Sequence, residues 1–213
     1  MIDLPLEPTK IVGVGLNYRA HAAEMKKAPP AEPLLFLKPP SALIGPGAAI
    51  VRPRGYLRVD YEGELAVVIG KRARRVTAAR ALEHVAGYVC LNDVTVRDLQ
   101  TRDGQFTRAK GFDTFCPVGP RVVADLDPAR LAIATRVNGK TRQSSTTADM
   151  IFDVPALIAF ASGVMTLEPG DILTTGTPAG VGPLVAGDVV VVEIEGIGVL
   201  ANPVVDDEEE LSR

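Results

Sequence analysis

The stretch VDYEGELAVVIG, residues 59–70, combines a pair of glutamates with a continuous run of apolar residues. Its continuous apolar run at 65–69 predicts a strand that is buried on both faces. Glu62 and Glu64 enter this strand two residues apart, so we expect both side chains on one face. Adjacent carboxylates in apolar surroundings repel each other unless a cation neutralises them. A solvated strand face is the alternative interpretation, and the apolar run argues against it.

A third carboxylate follows the next apolar run, in GYVCLNDVTVRD at residues 87–98. If the run at 85–91 forms a neighbouring strand, it delivers Asp93 to the same point as the two glutamates. Hard oxygen ligands of this kind suit Mg²⁺, Mn²⁺ or Ca²⁺ better than zinc. The sequence therefore predicts a site for Mg²⁺, Mn²⁺ or Ca²⁺ at Glu62, Glu64 and Asp93.

The composition is that of an ordinary soluble globular protein, with 213 residues, 46% hydrophobic and 23% charged residues. No membrane-length apolar stretch and no signal-peptide pattern is present, so we expect a cytoplasmic protein without a membrane partner. A net charge of −3 gives no reason to expect nucleic acid as a partner. Cys90 and Cys116 lie in apolar surroundings without CxxC spacing, which predicts buried, reduced thiols.

Short apolar runs between scattered prolines and glycines predict one strand-rich domain over 1–213, ending in an acidic tail at 205–213. Strands are predicted at 11–14, 34–37, 61–69, 85–91, 118–123, 131–137, 172–175 and 189–194. Helices are predicted at about 17–27, 77–84, 95–102 and 154–162, and loops at 105–117 and 139–147. Asn17 is the expected cap of the first helix.

A candidate general base lies in NYRAHAAEM, residues 17–25. His21 and Glu24 are three residues apart and would share one face of a helix. A carboxylate that orients an imidazole suits the activation of water by a general base. Two ordinary surface residues are the alternative interpretation.

Further polar residues could handle an anionic substrate. Asp93, Arg97 and Gln100 recur at spacings of four and three, so a helix would place them on one side. Arg97 would either hold Asp93 or bind an anionic group, because guanidinium suits carboxylate recognition. Taken singly, Lys38 and Lys110 each look like a solvated lysine.

The glycine-rich stretch GTPAGVG, residues 176–182, has neither the Lys-Ser/Thr nor the helix of a P-loop. It can still present the Thr177 hydroxyl and main-chain amides to a small anion. A plain turn is the alternative. A serine nucleophile elbow, a Cys-His arrangement and a dinucleotide fingerprint are all missing from the sequence, so covalent catalysis and redox cofactors have no support.

Five segments, taken in order, resemble the fumarylacetoacetate hydrolase family over about residues 10–204. They are VDYEGELAVVIGK, GYVCLNDVTVRDLQ, AKGFDTFCPVGP, VNGKTRQSSTTADMIF and LEPGDILTTGTPAGVGP. The resemblance implies that family's catalytic-domain fold, a strand-rich β-sandwich or roll of mixed α+β type with few helices, paired as a homodimer. It implies metal ligands at Glu62, Glu64 and Asp93, catalytic residues His21, Glu24 and Lys110 with the His-Glu dyad on a lid, and substrate contacts at Arg97, Gln100, Lys110, Thr177 and Lys38.

Two departures place the chain closer to the family's small acylpyruvase, oxaloacetate decarboxylase and dienedioate isomerase members. The chain is too short for the additional N-terminal domain of fumarylacetoacetase. That enzyme also supplies an aspartate ligand from the stretch before its catalytic histidine, where the nearby polar residue here is Asn17.

The resemblance implies a Mg²⁺-dependent hydrolase that cleaves a C–C bond in acylpyruvate-type 2,4-diketo acids through a metal-stabilised pyruvate enolate. Decarboxylation of oxaloacetate at the same site is an accompanying expectation. One alternative is isomerisation of 2-hydroxyhepta-2,4-diene-1,7-dioate in aromatic catabolism. The other is a non-catalytic protein that binds a metal or an oxo acid, and the intact pair of His21 and Glu24 argues against it.

Overall fold

Strands dominate residues 6–208, the part of the chain that the computed structural model describes. The strands are β1 (Ile11–Gly15), β2 (Leu34–Lys38), β3 (Leu43–Ile44), β4 (Ile50–Arg52), β5 (Val59–Tyr61), β6 (Gly63–Ile69), β7 (Val85–Asn92), β8 (Thr95–Val96), β9 (Cys116–Val123), β10 (Ala132–Val137), β11 (Lys140–Thr146), β12 (Ile172–Thr174), β13 (Gly182–Pro183), β14 (Val189–Ile194) and β15 (Gly198–Asp206). The α-helices are α1 (Arg19–Glu24), α2 (Arg97–Asp103), α3 (Thr107–Lys110) and α4 (Val154–Val164). The predicted strand-rich α+β class with few helices is confirmed.

The strands form three sheets. The largest has the order β2-β1-β12-β6-β7-β9-β3, the second β11-β10-β14-β15-β4, and a small third sheet β13-β5-β8. Most neighbouring strands are antiparallel, whereas β1 with β12, β9 with β3 and β15 with β4 are parallel. The two larger sheets pack against each other through β6, β7, β10 and β14. Strand β6 therefore lies in the centre of the molecule.

The burial of β6 follows its sequence. All seven of its residues are buried. Leu65, Val67 and Ile69 join a core cluster that includes apolar residues of β10 and β14, while Ala66 and Val68 belong to a second cluster. Because side chains alternate along a strand, both faces of β6 are covered by protein. The prediction of a strand buried on both sides is confirmed.

The predicted strand 61–69 is interrupted, contrary to expectation. Strand β5 ends at Tyr61 and β6 begins at Gly63, and the two strands belong to different sheets. Glu62 occupies the break, where its main-chain N–H donates to the Asn92 side chain at 2.9 Å. A side-chain acceptor here replaces the main-chain partner that a continuous strand would have supplied.

The predicted loop 139–147 is wrong, because Lys140–Thr146 forms strand β11 in a hairpin with β10. The turn between them uses Asn138 and Gly139, both with positive φ, which is the Asn-Gly signature of a two-residue hairpin. The strand is mostly exposed and polar, so it shows no apolar alternation. The predicted loop 105–117 similarly contains α3 and the beginning of β9.

Helix boundaries also differ from expectation. The first helix is shorter than predicted and begins after Tyr18, so Asn17 is not its cap. The segment Ala78–His84 is a 3₁₀ helix, and α2 begins at Arg97 because Thr95–Val96 pairs with β5. Helix α4 extends two residues beyond its predicted end.

The ends of the chain and the cysteines complete the comparison with the sequence. Val205 and Asp206 still belong to β15 and pair with β4, so the acidic tail predicted at 205–213 begins inside a strand. Residues 209–213 of that tail lie outside the described residues. Cys90 and Cys116 are buried free thiols, and burial raises the pKa of each to about 12. Within residues 6–208, no helix is long and apolar enough to span a membrane.

Gly63→Ala is expected to lower the free energy of unfolding by about 1–3 kcal/mol, as overpacking a core does. A Cβ atom at Gly63 would lie 2.1 Å from Thr135 Oγ1 and 3.3 Å from Gln143 Oε1. Urea denaturation measures the loss. Gly163→Ala is the matched control, because a Cβ there meets nothing within 4 Å and the residue is helical. Equal stabilities for the two variants would contradict the steric explanation.

Candidate metal and catalytic site

Three carboxylates converge beside β6. One oxygen from each of Glu62, Glu64 and Asp93 lies within 4.8 Å of the others, and all three residues are buried. The pairing of β6 with β7 produces this convergence, because Asp93 follows β7 directly and its N–H donates to the Glu62 carbonyl at 2.8 Å. The solvated-face interpretation of the two glutamates is therefore wrong.

Two buried lysines neutralise part of this cluster. Lys110 Nζ donates to Glu62 Oε2 at 2.7 Å, to Asp93 Oδ2 at 2.5 Å and to Thr95 Oγ1 at 2.8 Å. Lys38 Nζ donates to Asp93 Oδ1 at 2.6 Å and to the Lys110 carbonyl at 2.5 Å. Neither lysine is the solvated residue that it resembles when considered alone, since each is at most 2% exposed.

Arg97 contacts a different carboxylate from the one that the sequence suggested. Its Nη2 donates to Glu62 Oε1 at 2.5 Å, its Nε to Asp60 Oδ2 at 2.8 Å and its Nη1 to Gln100 Oε1 at 2.8 Å. Among the described residues Arg97 forms no ion pair with Asp93, so that interpretation of the spacing is wrong. The guanidinium instead fixes Glu62 and orients Gln100.

Of the three clustered carboxylates, Glu64 is the one that has no cationic partner among residues 6–208. Its Oε2 accepts a hydrogen bond from the Gly176 N–H at 2.9 Å. Burial, followed by the charges of Asp93 and Glu62, raises its pKa well above the usual value. Burial alone would also raise the pKa of Glu62, but Lys110 and Arg97 outweigh it and hold that pKa far below its usual range.

A divalent cation fits these residues. The buried and unpaired charge of Glu64 favours uptake of either a proton or a positive ion. The donor set consists of carboxylate oxygens alone, which is the chemistry preferred by Mg²⁺, Mn²⁺ and Ca²⁺. Glu62, Glu64 and Asp93 are therefore the residues that could hold the ion.

The His-Glu pair lies on α1, and His21 lines a cavity that Glu62 and Glu64 also line. His21 Nδ1 donates to Glu24 Oε2 at 3.0 Å, and Glu24 Oε1 accepts from the Gly180 N–H at 3.0 Å. His21 is 5% exposed, so its interpretation as a surface residue is wrong, whereas the Glu24 side chain is 36% exposed. The bond to Glu24 leaves Nε2 of the imidazole as the free basic nitrogen.

Gly180 can make this contact because it lacks a side chain. Its φ is +101°, and a Cβ would lie 2.1 Å from the Arg142 carbonyl oxygen. Its own carbonyl accepts a hydrogen bond from the Tyr61 hydroxyl at 2.8 Å. The glycine-rich stretch 176–182 thus supports Glu24 through its main chain.

A cavity of about 770 Å³ contains the polar groups. Seven of the predicted site residues line it, namely His21, Glu62, Glu64, Arg97, Gln100, Lys110 and Thr177. Apolar residues including Leu35, Phe36 and Phe106 form another part of its wall. The other three predicted site residues do not line the cavity, but each contacts a residue that does: Asp93 and Lys38 contact Lys110, and Glu24 contacts His21. The volume suits a small organic acid.

Thr177 is differently engaged from what the sequence suggested. Its hydroxyl donates to the Gly63 carbonyl at 2.9 Å and accepts from Gln143 Nε2 at 2.7 Å. The hydroxyl proton is therefore not free to bind an anion. Gln143 is a neighbour of the site that the sequence does not reveal, because the polar composition of 139–147 predicts a loop. The Asn-Gly turn before it is the signal that could have placed it on a strand.

Asn17 does not replace the missing aspartate ligand. Its Nδ2 donates to the carbonyls of Phe152 and Thr175 at 2.9 and 2.8 Å, and its Oδ1 accepts from the Phe152 N–H at 2.8 Å. The side chain is wholly buried. Asn17 instead anchors the segment that leads into α1 and His21.

The chain is similar to a known protein family and to several proteins of known structure or activity. The family model described as fumarylacetoacetate (FAA) hydrolase C-terminal matches residues 10–205. A crystal structure of 5-carboxymethyl-2-hydroxymuconate delta-isomerase from Mycobacterium smegmatis is 50% identical, with a TM-score of 0.91 over 96% of this chain and 82% of that chain. Fumarylpyruvate hydrolase from Pseudomonas aeruginosa, in complex with Mn²⁺ and pyruvate, is 34% identical, with a TM-score of 0.91 over 97% of this chain and 93% of that chain. The bifunctional isomerase/decarboxylase of 4-hydroxyphenylacetate degradation from Escherichia coli is 47% identical over 96% of this chain, which spans 49% of that protein.

Proposed function

The chain belongs to the fumarylacetoacetate hydrolase family, and we propose that it is a metal-dependent hydrolase of acylpyruvate-type 2,4-diketo acids. The observation that carries the proposal is the position of His21, held by Glu24, on the same cavity as the carboxylates Glu62 and Glu64. A base and a metal-binding group on one cavity suit the attack of water on a polarised carbonyl.

Glu62, Glu64 and Asp93 would hold Mg²⁺ or Mn²⁺ in this proposal. When bound, such an ion supplies Lewis acidity, which stabilises negative charge that develops on the keto oxygen of a 2-oxo acid. The Pseudomonas aeruginosa relative, whose structure contains Mn²⁺ and pyruvate, supports this choice of ion and substrate class.

The charges around the cavity favour a dianionic substrate. Four buried carboxylates and four cationic side chains lie in this region, so their formal charges cancel, although Glu64 itself contacts none of the four cations. The carboxylates are Asp60, Glu62, Glu64 and Asp93, and the cations are Arg58, Arg97, Lys38 and Lys110. A divalent ion adds two positive charges to this neutral set. The resulting excess complements the two negative charges of a dicarboxylate.

His21 would act as the general base in hydrolysis. Its Nε2 accepts a proton from water, and the oxygen of that water adds to the distal carbonyl carbon of the substrate. The bond between that carbon and the adjacent CH₂ then breaks, which releases a carboxylic acid and leaves the electron pair on pyruvate as its enolate. Return of the proton to the CH₂ carbon completes pyruvate. Glu24 keeps the imidazole oriented throughout, because its bond to Nδ1 does not involve the reacting nitrogen.

Isomerisation or decarboxylation is the second candidate function. The observation in its favour is that the isomerase and isomerase/decarboxylase relatives are 50% and 47% identical, against 34% for the fumarylpyruvate hydrolase. Both reactions also pass through an enolate of a 2-oxo acid, so the same residues would serve them. Turnover of acetylpyruvate, fumarylpyruvate, oxaloacetate and 2-hydroxyhepta-2,4-diene-1,7-dioate, with Mn²⁺ and with a chelator, ranks the candidates.

His21→Ala is expected to lower kcat on the preferred acylpyruvate by about 10²- to 10⁴-fold, which is the usual contribution of a general base. Oxaloacetate decarboxylation should change much less, because it requires no activated water. Steady-state kinetics on both substrates measure the difference. His84→Ala is the control, since that histidine does not line the cavity. Undiminished acylpyruvate hydrolysis in His21→Ala would overturn the proposed mechanism.

Pairing as a homodimer and a cytoplasmic location stay predictions. An edge strand with exposed apolar side chains is consistent with pairing, since β2 lies at the edge of the largest sheet and Leu34 and Leu37 are each 41% exposed.

A further inference from the structure

Gln143 is a buried polar residue in an otherwise largely exposed strand. Its exposed fraction is 0%, whereas Arg142 and Ser144 on either side of it are exposed. All of its donor capacity is used inside the protein: Nε2 donates to Thr177 Oγ1 at 2.7 Å and to the Pro178 carbonyl at 2.8 Å. Its Oε1 accepts from the Gly63 N–H at 3.0 Å. A carboxamide so fully satisfied has one fixed orientation.

The contacts close a ring of hydrogen bonds. Gly63 N–H donates to Gln143, Gln143 donates to the Thr177 hydroxyl, and that hydroxyl donates back to the Gly63 carbonyl at 2.9 Å. The direction of every bond is determined, because a main-chain N–H can only donate and a carbonyl can only accept. The ring therefore engages both polar groups of Gly63 at once.

Gly63 lies between Glu62 and Glu64, where its torsions set the direction of both carboxylates. Glycine itself restricts φ and ψ only weakly. The ladder between β6 and β12 ends at Ala66 and Thr174, so it does not reach Gly63 from that side. Side chains of Gln143 and Thr177 occupy that edge of the strand instead. Since β11 belongs to the second sheet, this ring also ties the two large sheets together.

We infer that Gln143 is a positioning residue, which aligns Glu62 and Glu64 with the loop that carries Thr177. This role rests on the proposed function in that the aligned groups are the proposed metal ligands and a loop whose Thr177 lines the cavity. The loop is fixed at a second point, where Gly176 N–H donates to Glu64. Loss of the ring would remove one restraint from Gly63 and one from the loop, while the pairing of Gly63 with Asn92 on β7, every ligand and His21 would remain.

Two variants of Gln143 test the inference. Gln143→Met keeps a similar length but makes no hydrogen bond, and Gln143→Glu places an acceptor opposite the Pro178 carbonyl. Each is expected to weaken Mn²⁺ binding by about 10- to 100-fold, as loss of an outer partner of a metal site does. Electron paramagnetic resonance measures the concentration of free Mn²⁺, at a temperature where circular dichroism shows that the variant is folded. Ser144→Ala, an exposed neighbour on β11, is the matched control and should bind Mn²⁺ like the wild type.

Amide hydrogen exchange supplies a readout without metal. The segment 172–184 should exchange faster in metal-free Gln143→Met than in the wild type, while 65–69 should remain protected. Thr177→Val removes the hydroxyl of the ring and should likewise weaken Mn²⁺ binding and speed amide exchange at 172–184. Thr177→Ser retains the hydroxyl and should behave like the wild type. If Gln143→Met fails to fold, the comparison of Thr177→Val with Thr177→Ser still tests the role of the ring.

The inference would be overturned if Gln143→Met kept both its Mn²⁺ affinity and its amide hydrogen exchange within twofold of wild type. If Thr177→Val is the variant that folds, the same result there would overturn it. These measurements need no substrate. A wild-type protein that binds Mn²⁺ but turns over none of the tested oxo acids would overturn the proposed function and leave the role of Gln143 intact.

Discussion

Glu64→Gln is expected to weaken Mn²⁺ binding by more than about 100-fold, and to make the metal-free protein more stable at the same time. The affinity loss should exceed that for outer partners of a metal site, because a charged ligand itself is removed. Glutamine keeps the shape of the side chain and its carbonyl can still accept the bond from Gly176. The substitution therefore removes charge with little change in packing.

The stability gain follows from the unpaired charge of Glu64. Burial beside Asp93 and Glu62 raises the pKa of Glu64, so the metal-free folded state holds a proton there more tightly than the unfolded chain does. Stability from that proton is complete below the unfolded pKa and is lost as the pH rises through the folded pKa. Glutamine has no such loss, so the advantage of the variant should grow with pH over that interval. We expect a gain of about 1–3 kcal/mol at its upper end, comparable to the cost of an unsatisfied buried group.

Chemical denaturation with a chelator at several pH values, together with Mn²⁺ titration, measures both effects. Glu32→Gln is the control, because Glu32 is an exposed glutamate that lies outside the cavity lining. Mn²⁺ affinity equal to that of the wild type would show that Glu64 is not a ligand of the metal. A variant less stable than wild type at every pH would show that Glu64 has a stabilising partner.

Lys110→Met is expected to destabilise the metal-free protein by about 3–5 kcal/mol, the usual cost of removing one partner from buried ion pairs, because four buried carboxylates would keep only three cations. Lys110 Nζ bridges Glu62 and Asp93, and both carboxylates would lose this cation. Burial alone would lower the pKa of Lys110, but Asp93 and Glu62 outweigh it and raise that pKa, so the lysine remains charged. Methionine fills a similar volume without the ammonium group.

Divalent metal should recover much of the stability lost in Lys110→Met, because a cation neutralises the same carboxylates. Thermal unfolding with a chelator and with saturating Mn²⁺ measures this recovery, and the metal-induced increase in Tm should be larger than in wild type. Lys140→Met is the control, since Lys140 is exposed at the beginning of β11. An equal increase in Tm for wild type and Lys110→Met would mean that Lys110 and the metal do not stabilise the same groups.

Much of the site could be predicted because its residues lie beside strong local patterns. The apolar run at 65–69 and the run at 85–91 are long enough to define two strands, and neighbouring strands in sequence commonly pair. Their pairing brings Glu64 and Asp93 together, as expected. His21 and Glu24 share a helix face at a spacing that the short helix α1 retains.

The remaining parts could not be predicted because they depend on contacts between distant segments. Lys38 and Lys110 resemble solvated lysines until the fold buries them against Asp93, 55 and 17 residues away. The interruption at Glu62 depends on the side chain of Asn92 from the adjacent strand. Gln143 was missed because a mostly exposed polar strand carries no apolar period.

From local patterns alone, the amino-acid sequence predicts the strand-rich class, the burial of β6 on both faces and the clustering of Glu62, Glu64 and Asp93. Local apolar periodicity and residue chemistry are sufficient for these features. The cations that accompany each carboxylate depend on the tertiary structure, because these ion pairs form between side chains that are far apart in the chain. Lys38 and Lys110 therefore hold Asp93 and Arg97 holds Glu62, whereas Glu64 has no cationic partner among residues 6–208.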